Sequence, residues 1–286
     1  MIVSFGTVIN DSSAYADIIL PDHHVFESAT AVIPAVSPRP AITVAMPFVQ
    51  PLYNTRAIHQ TLGDIARKMN NAFEAATPKA YVEPLLPAGQ TWDDIARQGG
   101  LWLDDKGEAA SAKWGGEKLK WDDPVLAGAP ERFPLEFQPY LSLQYHDGRG
   151  ANLPWMQELP DPVSSSMWDI PLEIDPQTAA KLDVATGDWV RVESESGKLE
   201  VLAYVHPAAL PGVVSMAIGE GHTHYGRYAS GRGANPVSIL ASVWENSTGA
   251  LALGATRVRV ARLERKAGEL IQFSPNDREQ GPWGYR

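Results

Sequence analysis

The sequence contains no cysteine, and that absence excludes a great deal. Disulfides, thiolate zinc sites and iron–sulfur ligation by this chain are all ruled out. Any redox centre it serves is held by other atoms or together with other chains. Positive charge is also scarce: 24 Lys and Arg against 34 Asp and Glu leave a formal net charge of −10. A nucleic-acid footprint needs a basic surface to displace counterions, so that class is excluded. No apolar run approaches the roughly 18 residues of a membrane span. Met1-Ile-Val-Ser-Phe5 lacks the charged region and long apolar core of a signal peptide. There is no nucleophile elbow, phosphate loop or paired-cysteine motif. What remains is 286 residues with 44% apolar content, enough for one large or two ordinary domains.

The most informative stretch is Gly219-Glu-Gly-His-Thr-His-Tyr-Gly-Arg-Tyr-Ala-Ser-Gly-Arg-Gly-Ala-Asn-Pro236, which holds five glycines, two histidines, two arginines and two tyrosines. It follows Val213-Val-Ser-Met-Ala-Ile218, which reads as a buried strand. Glycines let the backbone approach a ligand, and the other side chains supply donors, acceptors and stacking faces. A binding loop on a rigid scaffold has this composition, and so does an ordinary long surface loop.

From the N-terminus, Ile2-Val-Ser-Phe5 and Ala16-Asp-Ile-Ile-Leu-Pro21 read as two strands, the second buried, at the edge of an α/β sheet. An irregular stretch with Pro34, Pro38, Pro40, Pro47 and Pro51 follows. Thr55 to Met69 reads as a helix with Ile58, Leu62, Ile65, Ala66 and Met69 on one stripe. Thr91 to Gln98 reads as a short helix with Thr91 as N-cap, Asp94 completing a capping box and Gly99-Gly100 ending it. Residues 101–134 lack a period and read as an insertion packed through Trp102, Trp114 and Trp121. Strands are expected at Tyr140–Leu143, Leu172–Ile174, Trp189–Glu193, Leu199–Val205, 213–218 and Thr256–Arg262. A helix begins at Asp175 (N-cap) and Pro176, and Ser196-Gly197 turns a hairpin. Many short strands with one capped helix imply a small barrel. Arg257 and Arg259 read as a solvated strand face rather than a phosphate site.

Several residues here resemble a known family. Ile174-Asp-Pro-Gln-Thr-Ala-Ala-Lys-Leu, Thr186-Gly-Asp-Trp-Val-Arg-Val-Glu-Ser, Gly197 and Pro211-Gly-Val-Val214 resemble the C-terminal molybdopterin-dinucleotide-binding domain of the DMSO-reductase family. Asp11-Ser-Ser-Ala-Tyr-Ala-Asp-Ile-Ile-Leu-Pro21, with Glu27 after it, resembles that family's Glu-Thr-Ala-x-x-Ala-Asp-x-x-Leu-Pro stretch, with Asp11 and Ser12 where Glu and Thr are usual. Asn152-Leu-Pro-Trp-Met-Gln-Glu-Leu-Pro-Asp-Pro162 and the 219–236 stretch look most like polysulfide- and thiosulfate-reductase-type catalytic subunits and the large subunit of alternative complex III.

The resemblance implies a fold of class α/β + β. A partial Rossmann-like segment (1–75) and a linker or insertion (76–136) precede a six-stranded double-psi β-barrel (137–264) and a polar tail (265–286). It implies a bis-molybdopterin guanine dinucleotide with Mo or W shared with a partner chain, or no cofactor if the chain is alternative-complex-III-like. The residues it points to for cofactor binding are His146, Arg149, Asn152 and Trp155 in one loop and His222, Tyr225, Arg227 and Asn235 in the other. No catalytic or metal-ligating residue is expected in this chain. His222 and His224 lack an obvious third ligand, His23 and His24 point apart if extended, and Asp17 beside Glu27 reads as loop organisation rather than an acid–base pair. The function implied is the C-terminal, cofactor-enclosing portion of an oxidoreductase, not catalytic alone, in a quinone-linked iron–sulfur complex acting on sulfur compounds. The alternative is a cofactorless homologue in a quinol-oxidising complex. The partners implied are the N-terminal half of the catalytic subunit, an iron–sulfur subunit and a membrane quinone-reactive subunit. The expected location is the periplasmic face of a membrane-associated complex, through a partner's signal, with the cytoplasm as alternative.

Overall fold

The computed structural model describes residues 1–35, 39–71, 77–103, 125–246 and 248–273. The chain divides into two compact units, Met1–Leu119 and Lys120–Arg286.

In the first unit, β1 (Val3–Ser4) pairs in parallel with β2 (Ile18–Ile19). The strand expected at residues 16–21 therefore forms, but Ile18 and Ile19 are 43% and 39% exposed rather than buried, since among the described residues β1 and β2 make a two-stranded sheet of their own. A separate antiparallel sheet places β4 (Ala41–Ala45) between β3 (Thr30–Val32) and β5 (Gly100–Trp102). Helix α1 (Ile58–Lys68) starts later than Thr55. Thr55 Oγ1 is engaged with His23 Nδ1 at 2.7 Å, and Asp22 Oδ1 caps the helix by accepting from Ile58 N–H at 2.9 Å. Its apolar stripe is present, yet Leu62, Ile65 and Met69 lie exposed.

The core of this unit comes from the region read as an insertion. Helices α2 (Pro78–Val82) and α3 (Trp92–Gln98) bring Val82, Trp92 and Ile95 against Ile42 and Val44 of β4. Helix α3 begins as expected: Thr91 Oγ1 accepts from Asp94 N–H, and Asp94 accepts from Thr91 N–H, each at 3.2 Å. Trp102 is exposed, contrary to a packing role, and Trp114 and Trp121 lie outside the described residues, as does most of the polar tail.

The second unit is a closed six-stranded barrel. Its strands are β6 (Leu135–Leu141), β7 (Leu172–Ile174), β8 (Trp189–Glu193), β9 (Lys198–Val205), β10 (Val213–Ile218) and β11 (Thr256–Arg262), ordered β10-β6-β11-β8-β9-β7 around the wall. Two pairs are parallel, β6 with β10 and β7 with β9, and the rest antiparallel. Exchanging β6, β7 and β8 with β9, β10 and β11 maps this order onto itself, the internal two-fold expected of a double-psi barrel. Short helices α4 (Pro154–Gln157), α5 (Pro176–Lys181) and α6 (Gly226–Ala229) lie in the connections. The interior is filled by alternate residues of every strand, among them Phe137, Leu172, Ile174, Val190, Val192, Val214, Met216 and Val258. Each contributes about 1.5–3 kcal/mol by leaving water.

Strand β6 starts well before the expected Tyr140 because Pro139 does not interrupt it, and it ends at Leu141, leaving Leu143 in the turn that follows. Glu136 N–H and Ser142 N–H donate toward the β10 side, so the missing N–H of Pro139 would have faced β11, whose pairing ends at Phe137. Asp175 caps α5 with Pro176 at its first position, Oδ1 accepting from Gln177 and Thr178 N–H at 2.9 and 3.0 Å. On β11, Arg257 and Arg259 pair across strands with Glu136 and Glu193, as a solvated face requires.

Candidate functional site: two loops at the ends of parallel strands

Because β6 and β10 run in parallel and end on the pair Leu141 and Ile218, the loops that follow them leave the barrel side by side. These are the two segments singled out from sequence, residues 142–153 and 219–236.

The first loop is folded by its own short side chains. Ser142 Oγ accepts from Gln144 N–H and Tyr145 N–H, both at 3.1 Å, and His146 adopts a left-handed φ of 55°. Buried Gln157 of α4 then fastens the loop, donating Nε2–H to Ala151 O at 2.7 Å and accepting from Tyr145 Oη at 3.2 Å. The second loop doubles back on itself, with Gly221 N–H donating to Arg232 O at 2.9 Å and Gly231 N–H to His222 O at 2.8 Å. Gly221 has φ 84°, and a Cβ there would fall 2.1 Å from Asn235 N, so only glycine closes the loop this tightly.

The loops also hold each other. Tyr225 Oη donates to Arg149 O at 2.6 Å and Tyr228 N–H donates to Asn152 Oδ1 at 3.0 Å, while within the second loop the His222 and Tyr225 rings lie 4.9 Å apart. Five of the eight residues expected at the cofactor, Arg149, Asn152, His222, Tyr225 and Asn235, thus sit in one interlocked structure whose backbone they partly build. Asn235 Oδ1 accepts from Val237 N–H at 3.0 Å, capping the 3₁₀ turn Pro236–Ile239, which leaves its amide nitrogen to face outward. His146, Trp155 and Arg227 are exposed, Trp155 to 64%. Arg149 is paired with Asp147, whose carboxyl that guanidinium holds well below the usual range.

Three further residues at this site were not among those expected at the cofactor, although Glu220 and Arg232 lie within the glycine-rich stretch. Arg232 stacks its guanidinium 4.6 Å from the Trp168 ring centre. Glu220 and Asp169 have acid groups that burial pushes up, Glu220 to about 8. Only contact between distant segments reveals them. Other candidates resolve as structure. Glu27 accepts from His24 and Leu52 N–H, and Asp17 from Ile2 N–H, so neither acts as an acid–base partner of the other. No group of three or more His, Asp or Glu suited to a metal occurs among the described residues, and no described helix is long and apolar enough to cross a membrane.

The donor set fits a pterin with a nucleotide tail. Arginines 149, 227 and 232 suit pyrophosphate, amides suit the pterin edge, and exposed aromatic rings suit stacking. Comparison with known proteins agrees. Residues 157–252 match the model of the Molydopterin dinucleotide binding domain. Arsenate respiratory reductase molybdopterin-containing subunit ArrA of Shewanella sp. (strain ANA-3) is 32% identical over 152 residues, 50% of this chain and 18% of that protein. The menaquinone reductase, molybdopterin-binding-like subunit of Nitratidesulfovibrio vulgaris is 22% identical over 272 residues, 91% of this chain and 37% of that protein. In fold, the chain superposes on acetylene hydratase from Pelobacter acetylenicus with a TM-score of 0.68 at 16% identity, over 89% of this chain and 39% of that one. The chain therefore spans less than two fifths of each of these relatives. Residues 157–252 of the barrel thus match a molybdopterin dinucleotide-binding domain, and the chain is similar to the C-terminal portion of DMSO-reductase-family molybdoenzymes.

Proposed function

We propose that this chain encloses one side of a bis-molybdopterin guanine dinucleotide carrying Mo or W, in an oxidoreductase whose remaining portion supplies the rest of the pocket. The observation that carries this reading is the pair of interlocked, arginine-bearing loops at the ends of β6 and β10. When bound, the group supplies two-electron redox chemistry at its metal. This chain's own work is to bind and orient it. Arg227, Arg232 and Arg149 meet its phosphates, the Asn235 and Asn152 amides its pterin edge, and Trp155 offers a stacking face. The chain has no turnover by itself. Its place is in a quinone-linked complex with the N-terminal half of the catalytic subunit, an iron–sulfur subunit and a membrane quinone-reactive subunit, on the periplasmic side. Exposed Ile18, Ile19, Leu62, Ile65 and Met69 support a partner portion, since a parallel ribbon needs cover on its faces and an amphipathic helix on its apolar stripe. Inorganic sulfur compounds are the substrate class the family resemblance favours, and the arsenate reductases among the relatives add arsenic oxyanions.

A second reading, a cofactorless scaffold in a quinol-oxidising complex, is favoured by one observation. The relative called molybdopterin-binding-like aligns over 91% of this chain, whereas ArrA aligns over 50%. Isolating the native assembly through this chain and measuring molybdenum, tungsten and oxidised-pterin fluorescence separates the two. Metal with pterin supports the enzyme. Iron and haem without either supports the scaffold.

A further inference from the structure

Beneath the two loops lies a group that the cofactor reading does not use. Glu220 is 4% exposed, and neither carboxylate oxygen has a hydrogen-bond partner among the described residues. Tyr145 Oη donates to Gln157 and Gln157 Nε2 to Ala151 O, and although both side chains also lie near enough to favour the charged form of Glu220, burial outweighs them. Gly233 roofs it so closely that a Cβ there would fall 2.2 Å from Oε2. Tyr145, Gln157, Asp169 and Arg232 are the polar and charged groups facing it, and Asp169 is the one acid among them.

Asp169 continues the path away from the loops. With Glu173, Asp161, Tyr140, Gln144 and Ser164 it lines a small cavity, about 10 Å³, room for one water molecule. Asp161 is already bonded to the backbone of Val163 and Ser164. Glu173 is buried, accepts from Tyr140 Oη at 2.9 Å and has His206 Nδ1 4.0 Å away. His206 is partly exposed and opens to solvent.

We propose that Glu220, its facing acid Asp169, and Glu173, which shares the water-sized cavity with Asp169, form an internal proton store reaching from His206 at the surface to the floor of the two-loop site. Three acids share a poorly solvated interior with one nearby arginine and one histidine, so they do not all ionise together. Glu220 holds its proton at neutral pH, consistent with burial pushing its acid group up to about 8. When that proton leaves Glu220, the facing Asp169 passes one to it, Glu173 replaces that one through the cavity water, and His206 takes the last from solvent. No electron moves and no other bond changes. The store exists independently of any cofactor; its use by a redox group at the loops rests on the function proposed above.

Infrared difference spectra of the native assembly, wild type against Glu220→Gln, test this. The expected result is a protonated-carboxyl band at pH 6.5 that disappears with a midpoint near pH 8 and is absent from Glu220→Gln. On transfer to D₂O, Glu173→Gln and Asp169→Asn keep the band but slow its isotopic shift by tenfold or more. A Glu220→Gln spectrum with the band intact, or exchange as fast in both relay variants as in wild type, overturns the proposal. Should Glu220→Gln fail to fold, the exchange rates in the other two variants decide. Pterin measured in the same samples keeps the outcomes apart: its absence from wild type refutes the cofactor reading and leaves the carboxyl titration standing.

Discussion

Removing the charge-bearing capacity of Glu220 should make the barrel more stable at high pH. Burial raises its acid group from an ordinary 4.5 to about 8. The folded chain therefore holds a proton that the unfolded chain releases anywhere between those values. This contribution to stability is complete below pH 4.5 and is lost as pH rises through about 8. At about 1.4 kcal/mol for each tenfold change in proton affinity, the whole loss is on the order of 5 kcal/mol. It is a sizeable share of the ~5–15 kcal/mol that holds a domain folded. Glu220→Gln keeps the shape and stays neutral, so its stability should vary less with pH and exceed that of wild type by about 3–5 kcal/mol at pH 9. Guanidinium unfolding curves from pH 5 to 9, followed at the barrel tryptophans, measure this. Parallel stability–pH curves for the two proteins would refute a buried neutral acid at this position.

Other substitutions probe the parts that place the loops. Gly221→Ala forces a side chain against the Asn235 backbone at positive φ and should cost about 2–4 kcal/mol, read as faster amide exchange over 219–236 with the barrel strands unchanged. Met216→Ala opens the barrel core and should cost about 2–5 kcal/mol by denaturant midpoint. Asp175→Ala removes the α5 cap, for a loss of about 1–2 kcal/mol in the same assay. Thr91→Ala should cost about 1 kcal/mol, and proteolysis should report it in the first unit alone.

The barrel was largely legible because its strands either alternate, as Trp189–Glu193 and Thr256–Arg262 do, or form short apolar runs, as 213–218 does, and its turns carry specific residues. Leu172–Ile174, Trp189–Glu193, 213–218 and Thr256–Arg262 form where the pattern puts them, and Asp175 and Thr91 cap the helices they were expected to cap. The first unit was less legible because burial depends on what covers an element. The Leu62, Ile65 and Met69 stripe has helical period whether or not a partner lies on it. Residues 77–102 lack a long period, so the helix at Pro78–Val82 was not expected and the expected one at Thr91–Gln98 gave no sign of a core role until Val82, Trp92 and Ile95 met Ile42 and Val44. At the site, the glycine-rich loop announced itself by composition. Glu220 and Asp169 did not, since an isolated acid in a sequence says nothing of the burial that makes it a proton carrier.

The central claim, that the loops after β6 and β10 hold the pterin cofactor, is tested most directly by pterin content in assemblies carrying wild type or the triple variant Arg149→Ala, Arg227→Ala, Asn235→Ala. Losing charge-assisted bonds of about 1.5–3 kcal/mol each should lower retained pterin at least tenfold while leaving the assembly intact. Equal pterin in both assemblies, or none in either, would contradict the claim.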